Sequence, residues 1–305
     1  AASGRPYQFA VRTRWLAGRT PCGHVDAGHA GALPPTAGCK LSDCTAVSDP
    51  DEVRLYRPDA AHVAYHYMPG CLPVVVFLGG LRSDMSGIKA LYLERWCRHR
   101  GQAFLRLDYR GHGASGGSFE ALGISDWLAD VQCLLKACAI EAPVVVGSSM
   151  GAWLGLLLAT DSATPLHGLV TLAGAADFTE CLLWPRLNAR QRAEIVHDGV
   201  THVPSRYGDG PYPISRRLIE DGRQHQLLNA PLTLACPIRI IHGTCDPDVP
   251  PAHSVRLFEH VHAPHATLTL LQGGDHRLST PAALDEITMA IEALVDDAPV
   301  PHKDE

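Results

Sequence analysis

Three short segments hold residue types that could act together in nucleophilic catalysis. The first is VVVGSSMGAWLGLLLA, residues 144–159, where Gly147-Ser148-Ser149-Met150-Gly151 matches G-x-S-x-G with Ser149 at its centre. A β-branched run leads into the pattern and an apolar run leaves it, so Ser149 falls on a strand-to-helix turn of the kind that holds a hydroxyl outward. Glycines on both sides suit so tight a turn, because a side chain there would collide with the neighbouring strand or helix. Ser148 fills the variable position. A serine that only caps a helix also matches the pattern, and the run PVVV directly before it is what favours a nucleophile.

A serine hydroxyl is a weak nucleophile near neutral pH, so it needs a base, and the base needs a carboxylate to fix its tautomer. The chain has 17 histidines, and position must choose among them. His276 stands in QGGDHRLS, just after the last predicted strand, where a loop can carry an imidazole toward Ser149. His242, inside RIIHGTCDPDVP, is fixed by a strand end and reads as structural. The same segment offers two acids, Asp246 and Asp248, beyond the carboxyl end of a strand, where ligand sites of open α/β sheets gather. Charge developing on an acyl oxygen calls for two backbone donors. The N–H of Met150, next after Ser149, supplies one, and the N–H of Leu81, after the strand PVVVFLGG, supplies the other.

These segments need a scaffold, and the chain from about residue 52 predicts one. EVRLY, HVAYHY, PVVVFLGG, QAFLRLDY, PVVVG, HGLVTLAG, PIRIIHG and ATLTLLQGG read as strands. Helices are predicted over SGIKALYLERWCRHRG, closed by Gly101, over SDWLADVQCLLKAC with Ser125 as N-cap, after Ser149, and from Pro281 with Leu284, Ile287, Ile291 and Leu294 on one face. Strands alternating with helices predict a mostly parallel central sheet with helices on both faces. About sixty residues separate the strands ending near Gly174 and beginning at Pro237, far beyond an ordinary αβ connection. This insertion, about 177–235, precedes the seventh strand and is read as a small cap, helical over LNARQRAEIVHDG and SRRLIEDGRQHQLL with the turn-rich VPSRYGDGPYP between them. Residues 51–298 thus form one α/β domain, with an extension at 1–50 and a tail at 299–305.

Composition limits the function classes. The chain has 305 residues and a net charge of −6, with no long Lys/Arg block, which argues against a nucleic-acid partner. Its longest apolar run, AWLGLLLA, is far short of the roughly 20 residues that span a bilayer, so no membrane insertion is expected. Ten cysteines form no CxxC pair and read as small core residues in a reducing compartment. The Cys and His of residues 22–44 could hold zinc, but their spacing matches no familiar finger and no metal is expected. Arg5, Arg12, Arg14 and Arg19 precede the first acid, Asp26, as in a mitochondrial transit segment. The preferred reading is a plainer, disordered or vector-derived extension, because the chain opens on Ala1. The expected compartment is the cytoplasm, with the mitochondrial matrix as the alternative. LDYRGHGASGGS, residues 107–118, follows neither GxGxxG nor the P-loop spacing, so it reads as an edge of the site with Asp108 as a structural acceptor. Trp153, Trp184 and Tyr212 are candidates for an acyl pocket, although single aromatics in apolar segments are more often core.

From Arg57 to Leu294 the chain resembles the α/β-hydrolase-fold serine hydrolases, in which nucleophile, acid and histidine follow in that order. The motifs that carry the likeness are GGLRSDMSGIKA, LDYRGHGASGGS, VGSSMGAW, GVTHVPSRYGDGPYPI, CPIRIIHGTCDPDVP and GGDHRLS. They are similar to those of mitochondrial abhydrolase-domain enzymes that act as palmitoyl-protein thioesterases and mycophenolic acid acyl-glucuronide esterases. The resemblance implies Ser149 as nucleophile, His276 as base and Asp246 as orienting acid, Asp246 rather than Asp248 because HGxxDxxVP falls on His242 to Pro250. It implies hydrolysis of a small-molecule ester or thioester of a small or medium acyl group, or of an S-acylated protein, through an acyl-enzyme and without a cofactor. Leu81 stands where that family has a bulkier aromatic and Gly79 where it has a proline, differences that bear on pocket shape and not on backbone donation. The alternatives are C–C bond or peptide hydrolysis on the same fold, and a non-catalytic protein that binds a hydrophobic ligand.

Overall fold

Runs such as PVVVFL and PVVVGS are apolar at successive positions, which suits strands covered on both faces. A computed structural model describes residues 11–14, 54–56, 61–205 and 210–296 of the chain. Nine strands form its central sheet: β1 (Val11–Arg14), β2 (Arg54–Tyr56), β3 (Val63–Met68), β4 (Cys71–Leu78), β5 (Gln102–Asp108), β6 (Val144–Ser148), β7 (Gly168–Leu172), β11 (Ile238–Gly243) and β13 (Ala266–Leu271). Outside it, β8 (Val200–Val203) pairs with β9 (Tyr212–Ser215), and β10 (Leu232–Thr233) pairs with β12 (Val261–His262). The order across the sheet is β1-β13-β11-β7-β6-β4-β5-β3-β2, antiparallel at β2–β3 and β3–β5 and parallel elsewhere.

The helices are α1 (Ile88–Arg100), α2 (Ile124–Ala137), α3 (Met150–Thr160), α4 (Ala189–Asp198), α5 (Arg216–Arg223), α6 (Pro251–His260) and α7 (Pro281–Val295). They bury the sheet from both sides. One core gathers Trp127, Trp153, Leu154 and Leu257 from α2, α3 and α6; the other gathers Leu93, Cys97, Leu284, Ile287 and Ile291 from α1 and α7. Gly101 closes α1 at φ 66, as its position predicts, and Thr280 caps α7 through Ala283 N–H.

Several sequence expectations change in the folded chain. Gly123, not Ser125, is the N-cap of α2; the Ser125 hydroxyl instead donates to Asp221 at 2.6 Å and meets His225 Nε2 at 2.7 Å, so it ties α2 to α5. The segment between β7 and β11 contains the two expected helices, α4 and α5, but VPSRYGDGPYP joins the strands of a β8–β9 hairpin. Counted from β2, β11 is the seventh strand of the sheet, as expected. Residues 11–14 of the supposed extension pair in parallel with β13 as an edge strand. The rest of residues 1–50, including the zinc candidate at 22–44, and the tail at 299–305 lie outside the described residues. Cys97 and Cys236 are core residues, and burial pushes their thiols up to about 12 and about 11. Cys71 and Cys245 are exposed, against the expectation. No helix among the described residues is long and apolar enough to cross a membrane.

Candidate active site

Ser149 sits between β6 and α3 with φ 55 and ψ −114, a conformation that costs a non-glycine residue about 1–3 kcal/mol. Its backbone is held there from the next strand: Ser149 N–H donates to Leu172 O at 2.9 Å, and Ala175 N–H donates to Ser149 O at 3.1 Å. The flanking glycines answer to close backbone approach. A Cβ on Gly147 would lie 2.3 Å from Gly151 O, and one on Gly151 would lie 2.2 Å from Leu78 O. The strand, the turn and the helix can therefore pack this closely only with hydrogen at both positions.

The loops after β11 and β13 bring the other two groups to this turn. His276 Nε2 lies 3.1 Å from Ser149 Oγ, and His276 Nδ1 lies 2.7 Å from Asp246 Oδ2. The Asp246 side chain is wholly buried, while that of His276 keeps 15% of its surface exposed at the mouth. Asp246 Oδ1 accepts the N–H groups of Asp248 at 2.8 Å and Val249 at 2.9 Å. Burial by itself works against a charged Asp246. Hydrogen bonds from His242 and His276, the charge of His276 and the Val249 N–H outweigh it and hold the carboxyl well below its usual range.

The loop after β4 completes the arrangement. A Cβ on Gly80 would stand 3.3 Å from Ser149 Cβ and 3.9 Å from its Oγ, so Gly79-Gly80-Leu81 runs directly past the hydroxyl. Tyr109, fully buried, donates its hydroxyl to Gly79 O at 3.1 Å and steadies that loop from beneath. Met150 opens α3, where first-turn N–H groups have no partner within the helix. The sequence thus named five residues, Ser149, Asp246, His276, Leu81 and Met150, and the fold gathers them all at the carboxyl edge of the sheet.

A family model described as the alpha/beta hydrolase family matches residues 75–287 of this chain. The chain belongs to that family. The human mitochondrial palmitoyl-protein thioesterase ABHD10 is 33% identical over 243 residues, which cover 79% of each protein. A solved structure of a putative hydrolase from Agrobacterium vitis is 38% identical with a TM-score of 0.76, covering 80% of this chain and 98% of that one. The structure of mouse alpha/beta hydrolase domain-containing protein 10 is 31% identical with a TM-score of 0.73, over 80% and 98%.

In this hydrolase the LDYRGHGASGGS segment supports the loop after β4. Asp108 is buried and accepts Met85 N–H at 2.6 Å and Ala114 N–H at 2.9 Å, binding the β4 and β5 loops to each other as a structural acceptor should. Burial pushes its carboxyl up, and the two N–H groups oppose that shift. The three aromatic candidates divide. Trp153 is core, edge-on to Phe178, with its N–H on His225 O. Trp184 meets the Arg192 and Arg223 guanidiniums, 5.5 and 4.9 Å from its ring centroid. Tyr212 of β9 reaches the site's rim: the guanidinium of Arg82, next after Leu81, stands 5.2 Å over its ring, and burial with the Asp248 charge pushes its hydroxyl up.

Ligand atoms of Asp246, Asp248 and His276 lie within 4.8 Å of one another, the spacing of a metal site. Both nitrogens of His276 and both oxygens of Asp246 already have the partners named above, so hydrogen bonding accounts for the cluster without an ion. His242 is the residue that sequence reading undervalued. It is fully buried at the end of β11, as expected of a structural residue, yet its Nε2 lies 3.1 Å from Asp246 Oδ2 and 3.0 Å from Val249 O. Two acceptors on Nε2 place a hydrogen there, and Nδ1 meets Ser254 Oγ at 2.6 Å. The spacing of four residues between His242 and Asp246 was the available signal, and it pays out only because a turn folds the chain back.

Proposed function

We propose that this hydrolase is a serine esterase or thioesterase in which Ser149 is the nucleophile, His276 the base and Asp246 the orienting acid. The observation that carries the reading is the His276 ring, which bridges Ser149 Oγ at 3.1 Å and Asp246 Oδ2 at 2.7 Å beside a serine strained toward it. Ser149 Oγ bonds to the acyl carbonyl carbon while His276 Nε2 takes its proton. The N–H groups of Leu81 and Met150 hold the resulting oxyanion, where one such donor contributes about 3 kcal/mol in a studied protease. Collapse breaks the carbon–oxygen or carbon–sulfur bond, and His276 returns the proton to the leaving alcohol or thiol. Water then gives a proton to His276 as it attacks the acyl-serine, and His276 returns that proton to Ser149 Oγ as the carbon–oxygen bond breaks and the free acid departs. No cofactor enters these steps.

The named activity of the human relative supports an acyl thioester, including an S-acylated protein, as substrate. The segment 177–235 acts as a cap in this reading, since Tyr212 carries it to the rim beside Arg82 and Asp248. The location in the relatives' names supports a mitochondrial location over the cytoplasm. Finding the native protein only in the cytosol of its own cells would overturn that assignment.

A fluorophosphonate probe tests the chemistry. Wild type should be labelled and Ser149→Ala should not; unlabelled wild type, or equal labelling of both, refutes the nucleophile. Rates on p-nitrophenyl esters of rising chain length, run beside an acyl thioester, then test the substrate class. Turnover of amides alone would refute it.

A further inference from the structure

Lys89 has no place in the mechanism above, although it lies in GGLRSDMSGIKA, in the first turn of α1 and after the loop that passes Ser149. We propose that Lys89 is a positioning residue that holds His276 in line with Ser149 by pinning the main chain of the histidine loop from α1. The inference rests on the reading of His276 as the base.

Lys89 Nζ donates to the main-chain carbonyl of Arg277, the residue after His276, across 188 positions of sequence. The residue before His276 is Asp275, whose charge attracts the ammonium. Asp275 in turn accepts Leu278 N–H at 3.0 Å, and Ser279 Oγ shares the Arg277 carbonyl at 3.0 Å. On the upstream side the loop is tied to the acid-bearing turn, through Cys245 N–H to Gly274 O at 2.9 Å and Gly273 N–H to Thr244 Oγ1 at 2.8 Å. Lys89 ties the downstream side to a third element. One lysine therefore links the helix that follows the oxyanion loop to the loop that carries the base, and a misplacement of about 1 Å between such groups costs about 100-fold in rate.

The clamp also titrates. Burial, with Arg277 adding to it and Asp275 opposing, lowers the Lys89 ammonium to about 8. Asp275 and Arg277 face the amine from the loop; one turn along α1, Tyr92 is engaged with Asp285 of α7. Loss of the proton weakens the bond to the carbonyl and ends the attraction to Asp275, so turnover should decline as pH rises past about 8.

The test is kcat, KM and pH profile on a p-nitrophenyl ester for wild type, Lys89→Met, Lys89→Gln and Lys89→Arg, with active sites counted by fluorophosphonate labelling. Lys89→Met and Lys89→Gln should lose about 10- to 100-fold in kcat per labelled site with KM little changed. Both should lack the alkaline decline. Lys89→Arg, which keeps its charge, should recover much of the rate and hold it above pH 8. Wild-type kcat in Lys89→Met, or an alkaline decline unchanged in Lys89→Met, overturns the proposal. If Ser149→Ala and His276→Ala are inactive while Lys89→Met is normal, only the role of Lys89 fails. Should those two variants stay active, the catalytic reading fails first.

Discussion

Replacing Asp246 by Asn tests the site most sharply, because its hydrogen bonds dictate how the amide must sit. Oδ1 of Asp246 accepts two backbone N–H groups, from Asp248 at 2.8 Å and Val249 at 2.9 Å, so an asparagine must place its carbonyl there. Its NH2 is then forced to the Oδ2 position, facing His276 Nδ1 and His242 Nε2. A nitrogen that meets a donor must offer its lone pair, and His276 then carries its proton on Nε2. That atom lies 3.1 Å from Ser149 Oγ and can only donate, so the base is absent in the resting enzyme. The same exchange in a serine protease lowers kcat about 10⁴-fold, which is about 5 kcal/mol of barrier. Asp248→Asn leaves the Asp248 N–H in place and should stay near wild type. The assay is kcat on a short p-nitrophenyl ester, with thermal unfolding to show that both variants fold. An Asp246→Asn enzyme retaining more than about a tenth of wild-type kcat, or an Asp248→Asn enzyme losing as much, refutes the argument.

Other outcomes follow from particular contacts. His242→Ala strips donors from Asp246 and Val249 O and leaves Ser254 unpartnered in the core, so denaturant unfolding should show a loss of about 3 kcal/mol, with kcat lowered as well. His242→Gln, which keeps an N–H donor, should recover part of both, and an unchanged His242→Ala sinks the assignment. In Gly151→Ala the new methyl would meet Leu78 O and Gly79 O at 2.2 and 2.5 Å, both main chain, so the oxyanion loop must shift and kcat should fall about 100-fold. Normal turnover in that variant would show that the loop is not set by this contact. His112 is buried against Tyr109, Phe119 and Trp127, and burial, aided by the Arg82 charge and opposed by the Arg110 carbonyl, lowers it to about 4. An unfolded histidine titrates near 6.5, so the unfolded chain binds more protons between these values, and stability should be lost as pH falls from about 6.5 toward 4. The melting temperature across that range should drop less for His112→Phe; an equal drop places the acid sensitivity elsewhere.

The parts of this protein that sequence can display are those set within a few residues. Val144 to Gly151 states a strand, a tight turn and a helix through β-branching and glycine placement alone, and the observed φ of 55 at Ser149 is the conformation that pattern demands. Gly101 and Pro281 likewise mark helix ends by local backbone chemistry. Where partners come from far along the chain, local signals mislead. Ser125 has the type and place of an N-cap, yet a carboxylate 96 residues away offers its hydroxyl a buried partner. The turn-rich stretch before Tyr212 is a hairpin because β8 and β9 pair across it, with strands too short to announce themselves by periodicity.

The candidate site divides along the same line. Residue type, motif and chain order marked Ser149, His276 and an acid at Asp246 or Asp248, and the family resemblance chose Asp246; each lies just beyond the carboxyl end of a strand, and a parallel sheet brings those ends to one edge. Only the tertiary structure decided that His276 spans 127 residues to one partner and 30 to the other, that His242 turns toward the acid, and that Lys89 reaches the histidine loop. Those contacts depend on how three loops and the helix α1 converge in space, and apart from the four-residue interval between His242 and Asp246 they leave no periodicity or spacing for a sequence to show.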